Sequence, residues 1–133
     1  LGGMVYHARY VSFFERVRSE SIRGTAADVD RLLALDEEGG PLVYVVRRIT
    51  VDYLGQAKAG DVLVGTSRVS NVRAASMEAE QRLERDGQLI AKATVLVALV
   101  DASGRPRRWP GDVRTLWQDM LDQYTAAQAS EGA

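Results

Sequence analysis

Residues 76–101 read SMEAEQRLERDGQLIAKATVLVALVD. From Ser76 to Arg85, Met77, Ala79, Gln81 and Leu83 alternate with Glu78, Glu80, Arg82 and Glu84, the period of a strand with one buried and one wet face. Asp86-Gly87 follows as the strongest short-range hairpin signal in the chain. Leu89–Asp101 is more continuously apolar and is expected to be a central strand, closed by Ser103-Gly104-Arg105-Pro106. Working backwards, Leu42–Leu54 (LVYVVRRITVDYL) is rich in β-branched and aromatic residues, Gly55–Asp61 reads as a turn, and Val62–Val72 as another strand. Residues 42–101 therefore predict a meander of four long antiparallel strands.

Helical spacing brackets this sheet. Tyr6, Tyr10, Phe13, Phe14, Val17 and Ser21 fall at i, i+4, i+7, i+8, i+11 and i+15, one face of an α-helix that Gly24 would stop. Leu1-Gly2-Gly3 before it reads as a turn. Ala26–Leu35, with Val29, Leu32 and Leu33, is a second helical piece ending at Gly39-Gly40-Pro41. Pro110-Gly111-Asp112 opens a last helix carrying Val113, Leu116, Trp117, Met120, Leu121 and Tyr124, and residues 127–133 read as a frayed tail. One apolar helix followed by four long strands packs economically when the sheet curls around the helix. The expectation is an α+β hotdog fold, a long central helix wrapped by a curved antiparallel sheet, with an extra C-terminal helix. So small a sheet leaves open edges, and pairing with a second copy, as a homodimer or homotetramer, would remove them.

With 133 residues and 14.6 kDa, a single domain over 1–133 is expected. Seventeen Lys and Arg against eighteen Asp and Glu leave a formal charge of −1, so nucleic acid is not an expected partner. Without cysteine there is no disulfide, thiolate nucleophile or Cys-based zinc site, and the single histidine, His7, excludes a His-rich metal site within one chain. No metal is expected. No apolar run approaches the roughly 20 residues that span a bilayer, so the chain reads as soluble and cytoplasmic, with no membrane span. It contains no Gly-x-Ser-x-Gly elbow and no phosphate-binding Gly-rich Lys motif, which removes serine-hydrolase and nucleotide-hydrolase readings.

The run Gly2-Gly3-Met4-Val5-Tyr6-His7-Ala8-Arg9-Tyr10, leading into Phe13-Phe14-Glu15-Arg16, resembles the opening of hotdog acyl-CoA thioesterases of the 4-hydroxybenzoyl-CoA thioesterase family, in particular the Tol-Pal-associated subgroup. Tyr53-Leu54 with Ala57, Gly60-Asp61, Arg85-Asp86-Gly87 and Gly104-Arg105-Pro106 resemble that family's strand ends and turns. The resemblance covers residues 1 to about 110 and is most specific in its first block. The family's catalytic Asp would stand immediately before Leu1, so the chain is expected to lack its first strand and that carboxylate.

The resemblance implies hydrolysis of an acyl-CoA thioester to free acid and CoA, with no cofactor beyond the coenzyme A of the substrate. A thioester oxygen gains negative charge on attack, and unpaired N–H groups at a helix N-terminus suit such a charge. On that basis the backbone of Tyr6 and His7 takes the oxyanion role and Gly3 shapes the turn. His7 either holds water or substrate or is a hydrogen-bonded structural residue. Tyr6 and Tyr10 lie on the apolar stripe and read as core aromatics, with Tyr10 also a candidate wall of an acyl pocket. Glu15, on the far side of the helix from Tyr6, reads as an ion-pair partner of Arg18 or of a neighbouring subunit. The phosphates of CoA call for cations, and Arg73, Arg105, Arg107 and Arg108 are the candidates. Trp109 beside them would stack on adenine or, more simply, pack under the final helix. An acyl carrier protein is a further candidate partner. Two other readings compete: a non-catalytic acyl-CoA or acyl-carrier binding module, and a hotdog dehydratase, against which the placement of His7 in Tyr-His-Ala-Arg-Tyr argues.

Overall fold

The computed structural model describes residues 2–35, 40–58 and 60–131, the side chains of 2–8 and 124–131 excepted. The elements are α1 (Gly2–Ile22), α2 (Val29–Leu33), β1 (Leu42–Tyr53), β2 (Val64–Val72), β3 (Ser76–Arg85), β4 (Gln88–Asp101) and α3 (Gly111–Glu131). All four strands pair antiparallel in the order β1-β4-β3-β2. Asp86 (φ 51°) and Gly87 (φ 78°) both take the left-handed region that a tight two-residue hairpin requires. β4 has partners on both sides, as its apolar run predicts.

Four elements differ from the sequence reading. Only β2, β3 and β4 form a meander, for β1 lies beyond β4 and the chain crosses the sheet between Tyr53 and Val64. That arrangement keeps the most apolar strand away from an edge. Gly2 and Gly3 belong to α1 rather than to a turn, and the second helical piece shrinks to Val29–Leu33. There Asp28 caps the short helix: its Oδ1 accepts from Asp30 N at 2.9 Å and its Oδ2 from Gly24 N at 2.7 Å. Gly24, at φ 73°, ends α1 as expected. Finally, α3 continues through the expected frayed tail to Glu131, in a run of small residues with good helix propensity.

Register places one row of inward residues after another. Ser67, Gln81, Ala93 and Val51 stand side by side, then Val69, Ala79, Val95 and Ile49, then Val72, Met77, Val97 and Val46. The opposite face is polar, with Arg68, Glu80, Thr94 and Thr50 in one row. Both long helices cover the inward face. Tyr10 and Phe14 of α1 pack with Leu83, Ile90, Ala91 and Ala93. Val113 and Trp117 of α3 pack with Met77, Ala79, Val95, Val97 and Leu99. Trp109 lies edge-on to Trp117 at 5.6 Å and donates to Ser76 O, so it serves packing. Where α1 crosses β2 the approach is close enough that a Cβ on Gly65 would collide with Val17 Cγ2.

Within one chain the sheet covers only one side of α1. Tyr10 and Phe14 are buried, whereas Val11 and Glu15 on the opposite flank are exposed. At the far end of β4, Asp101 organises the turn into residue 107. Its Oδ1 accepts from Ser103 N, Ser103 Oγ and Arg105 N, and its Oδ2 from Arg107 Nε at 2.7 Å. The Ser103 hydroxyl and then the Arg107 guanidinium hold this carboxyl well below the usual carboxylate range.

Phe14→Ala is expected to lower stability by about 3–5 kcal/mol, read from the urea midpoint, because the ring is fully buried and leaves a cavity. Asp101→Asn tests the turn through pH. A depressed carboxyl contributes stability above its unfolded value of about 3.9, and that contribution fades as pH falls through the folded value. The variant should therefore be less stable than the parent at neutral pH, and the gap between their urea midpoints should close as the solution is acidified below that value.

Candidate active site

The start of α1 is pinned to one end of the sheet by Tyr10. Its hydroxyl accepts from Ala57 N at 3.0 Å, and its ring lies 5.4 Å from that of Tyr53. The loop after β1 is fastened over this end: Leu54 N and Gly55 N donate to Ile90 O, Lys58 N donates to Asp61 Oδ2, and Arg85 bonds both Gln56 O and Asp61. Backbone donors and the Arg85 guanidinium together hold the Asp61 carboxyl below its ordinary range. Tyr10 is thus a buried core residue that anchors a loop, which is its packing reading and leaves it little surface for substrate.

Gly3, Tyr6 and His7 lie in the first two turns of α1, with side chains outside the described residues.

The arginines form a separate group. Arg73 is exposed in the β2–β3 turn, where its N–H donates to Ser76 O. Arg105, Arg107 and Arg108 are exposed just past the end of β4. Arg107 and Arg108, with Arg31 and the start of α3, line a cavity of about 720 Å³, in which Arg31 also pairs with Asp112 at 2.6 Å. Tyr10 packs near Ala91 and the arginine turn follows Asp101, so at about 3.3 Å per residue they stand roughly 30 Å apart along β4. The fold does not bring the arginines to the start of α1 within one chain.

A second cavity, of about 500 Å³, lies between α1, α3 and the sheet's inward face. Its α1 wall is Val11, Glu15, Arg18 and Ile22, a stripe whose spacing, carried one turn back, reaches position 7. Arg18 donates to Gln81 Oε1 at 2.7 Å, and Gln81, fully buried, donates in turn to Phe14 O at 2.8 Å. Burial lowers the Arg18 pKa, and the charge of Glu15 partly offsets that. Tyr44, whose hydroxyl donates to Ala27 O, is pushed up by burial and by Asp28. The roles of Arg18 and Gln81 were missed in the sequence; their one signal was a glutamine set among Met77, Ala79 and Leu83. Among the described residues no cluster of His, Asp and Glu could hold a metal ion.

The Thioesterase superfamily profile matches residues 2–92. The acyl-CoA thioesterase YbgC of Haemophilus influenzae is 39% identical over 120 residues, covering 90% of this chain and 85% of the relative. The acyl-CoA thioester hydrolase YbgC of Escherichia coli is 34% identical over 84% of this chain and 81% of its own length. The crystal structure of a probable thioesterase from Bartonella henselae superposes with a TM-score of 0.73 at 36% identity, over 79% of this chain and 84% of that one. From its first helix to the β4 strand, this hotdog chain belongs to the Thioesterase superfamily.

Proposed function

We propose that the protein hydrolyses an acyl-CoA thioester to a free acid and CoA. The observation that carries this is the 39% identity to an acyl-CoA thioesterase across nine-tenths of the chain, with α1, whose start holds the Tyr-His block, inside the matched region. Water adds to the thioester carbonyl carbon, the C–O bond forms as the carbonyl oxygen becomes negative, and the C–S bond then breaks to release the thiol of CoA. We assign the developing oxyanion to the backbone amides of Tyr6 and His7 near the start of α1, aided by the helix dipole, with Gly3 shaping the backbone beside them. His7, the sole imidazole, is assigned to hold the attacking water, and no bound cofactor or metal takes part.

The active form is a homo-oligomer. β1 is an edge strand whose Val43, Val45 and Val46 are 38–45% exposed, an apolar edge of the kind that a second copy covers. The distance between the arginine turn and the start of α1 leads to the same conclusion: we assign Arg105, Arg107 and Arg108, with Arg73, to a CoA bound across two copies, phosphates on one and thioester on the other. Among the described residues no helix is long and apolar enough to cross a membrane, and an acyl-CoA substrate supports a cytoplasmic reading. An acyl carrier protein presents the same pantetheine thioester and is a second source of substrate.

Thiol release from a panel of acyl-CoAs and acyl carrier proteins is the decisive assay. Turnover with at least one is expected, and His7→Ala should lower kcat by about a hundredfold; binding without release by the parent protein would make it a binding module instead. Val45→Lys, which charges the open edge strand on the face away from the cavity, should shift the sedimenting species towards the monomer and reduce turnover with it. Arg107→Ser combined with Arg108→Ser should raise KM several-fold with little change in kcat.

A further inference from the structure

The open edge of β1 carries charges of both signs on one face. Arg48 and Asp52 project from the outward face beside Leu96 and Lys92 of β4, with Thr50 between them, and all three are exposed. Neither Arg48 nor Asp52 has an ion-pair partner among the described residues. A bulge between Val46 and Arg48 interrupts the strand on one side, so its regular stretch runs from Arg48 to Tyr53. Leu54 N donates to Ile90 O, which continues the β1–β4 register and fixes the alternation of backbone groups. Arg48, Thr50 and Asp52 direct their N–H and C=O toward β4, whereas Ile49, Val51 and Tyr53 direct theirs to the open edge.

We propose that a second copy pairs antiparallel with β1 about a two-fold axis through Thr50, so that Arg48 of each copy meets Asp52 of the partner subunit. This register rests on the homo-oligomer reading above and makes it specific. With Thr50 on the axis, Ile49 bonds the partner's Val51 through the open backbone groups, and the two charges fall in a non-hydrogen-bonded pair, where side chains stand closest. Neighbouring registers lose this match. An axis at Arg48 or at Asp52 sets like charges face to face, and one at Ile49 or Val51 leaves both charges opposite uncharged residues. Charges on an edge ordinarily repel a stray strand; here they admit a copy in one register. Past the bulge, the partner's Leu54, 56% exposed within one chain, comes level with Val46 and covers it. The register also shortens the reach required of CoA. Within one chain the arginine turn, level with Leu42, stands roughly 30 Å from Tyr53 along the strands, whereas across the axis Tyr53 is level with the partner's Arg47, about 17 Å from the partner's Leu42. Each copy thus brings its arginine turn toward the start of the other's α1, which Tyr10 fastens beside Tyr53.

The chain has no cysteine, so a single introduced one reports its own neighbour. Thr50→Cys should form a disulfide-linked dimer under mild oxidation, because a non-hydrogen-bonded antiparallel pair holds its Cα atoms about 4.5 Å apart, within the disulfide range. Arg48→Cys, about 13 Å from its own copy, and Val45→Cys, farther still, should stay unlinked. In sedimentation, Arg48→Asp or Asp52→Arg alone should raise the dimer dissociation constant at least about tenfold, since like charges then meet. The two single variants mixed should form a heterodimer, and the chain carrying both changes should regain the parent's constant. Linked Thr50→Cys dimer should release thiol from acyl-CoA with the parent's KM. Linking at Val45→Cys and not at Thr50→Cys, or single charge variants that dimerise like the parent, would overturn the register while the homo-oligomer stands. A parent protein that sediments as a monomer removes both. A Thr50→Cys dimer formed by a protein that releases thiol from no acyl-CoA supports the register and removes the thioesterase reading.

Discussion

The buried amide of Gln81 is the interaction on which the arrangement of layers depends. It stands on the inward face of β3 with Ser67 on one side and Ala93 on the other, where every other position in its alternation is apolar. Unpaired, it would cost a few kcal/mol; instead it donates to the carbonyl of Phe14 and accepts from Arg18, so both of its ends belong to α1. Hydrophobic burial of Tyr10 and Phe14 would hold a helix somewhere on this sheet, since burial is not directional. The amide fixes which turn of α1 crosses which strand, and Gly65 allows the crossing to be close.

That crossing has consequences along the whole of α1. With the Phe14 side turned to the sheet, the stripe of Val11, Glu15, Arg18 and Ile22 faces the space between α1 and α3. The helix therefore does two things at once. One flank closes the core, and the other lines a cavity. α3 completes the enclosure through Trp117, which packs edge-on to Trp109.

The same geometry leaves α1 open on its outer flank and β1 exposed along its edge, both on the side away from β2. A four-stranded sheet cannot enclose a helix of this length, because each strand adds only about 4.8 Å of width. An apolar edge with unpaired backbone groups is the residue of that shortfall. Asp101 provides the opposite kind of order, its carboxylate fastening an exposed arginine-rich turn that backbone bonds such as Arg107 N to Leu99 O also hold.

Much of this was legible in the residues. The alternation over 76–85, the Asp86-Gly87 turn and the apolar run after it contained two strands, their register and the central place of β4, because a period of two and a tight turn are local constraints. The stripe of Tyr10, Phe13, Phe14 and Val17 likewise contained the buried face of α1, and Tyr10 and Trp109 proved to be the packing aromatics their spacing implied. The block around Tyr6 and His7 pointed to the family. What no local pattern holds is which distant elements meet. The crossing of β1 to the far side of β4, the separation of the arginine turn from the start of α1, the pairing of Arg18 with Gln81 across 63 positions and the packing of Trp117 against Trp109 all depend on how the elements lie on the sheet. Sequence determined the elements and their apolar faces, since these follow from short-range periodicity; the tertiary structure alone decided which polar groups share a cavity, since that depends on long-range packing.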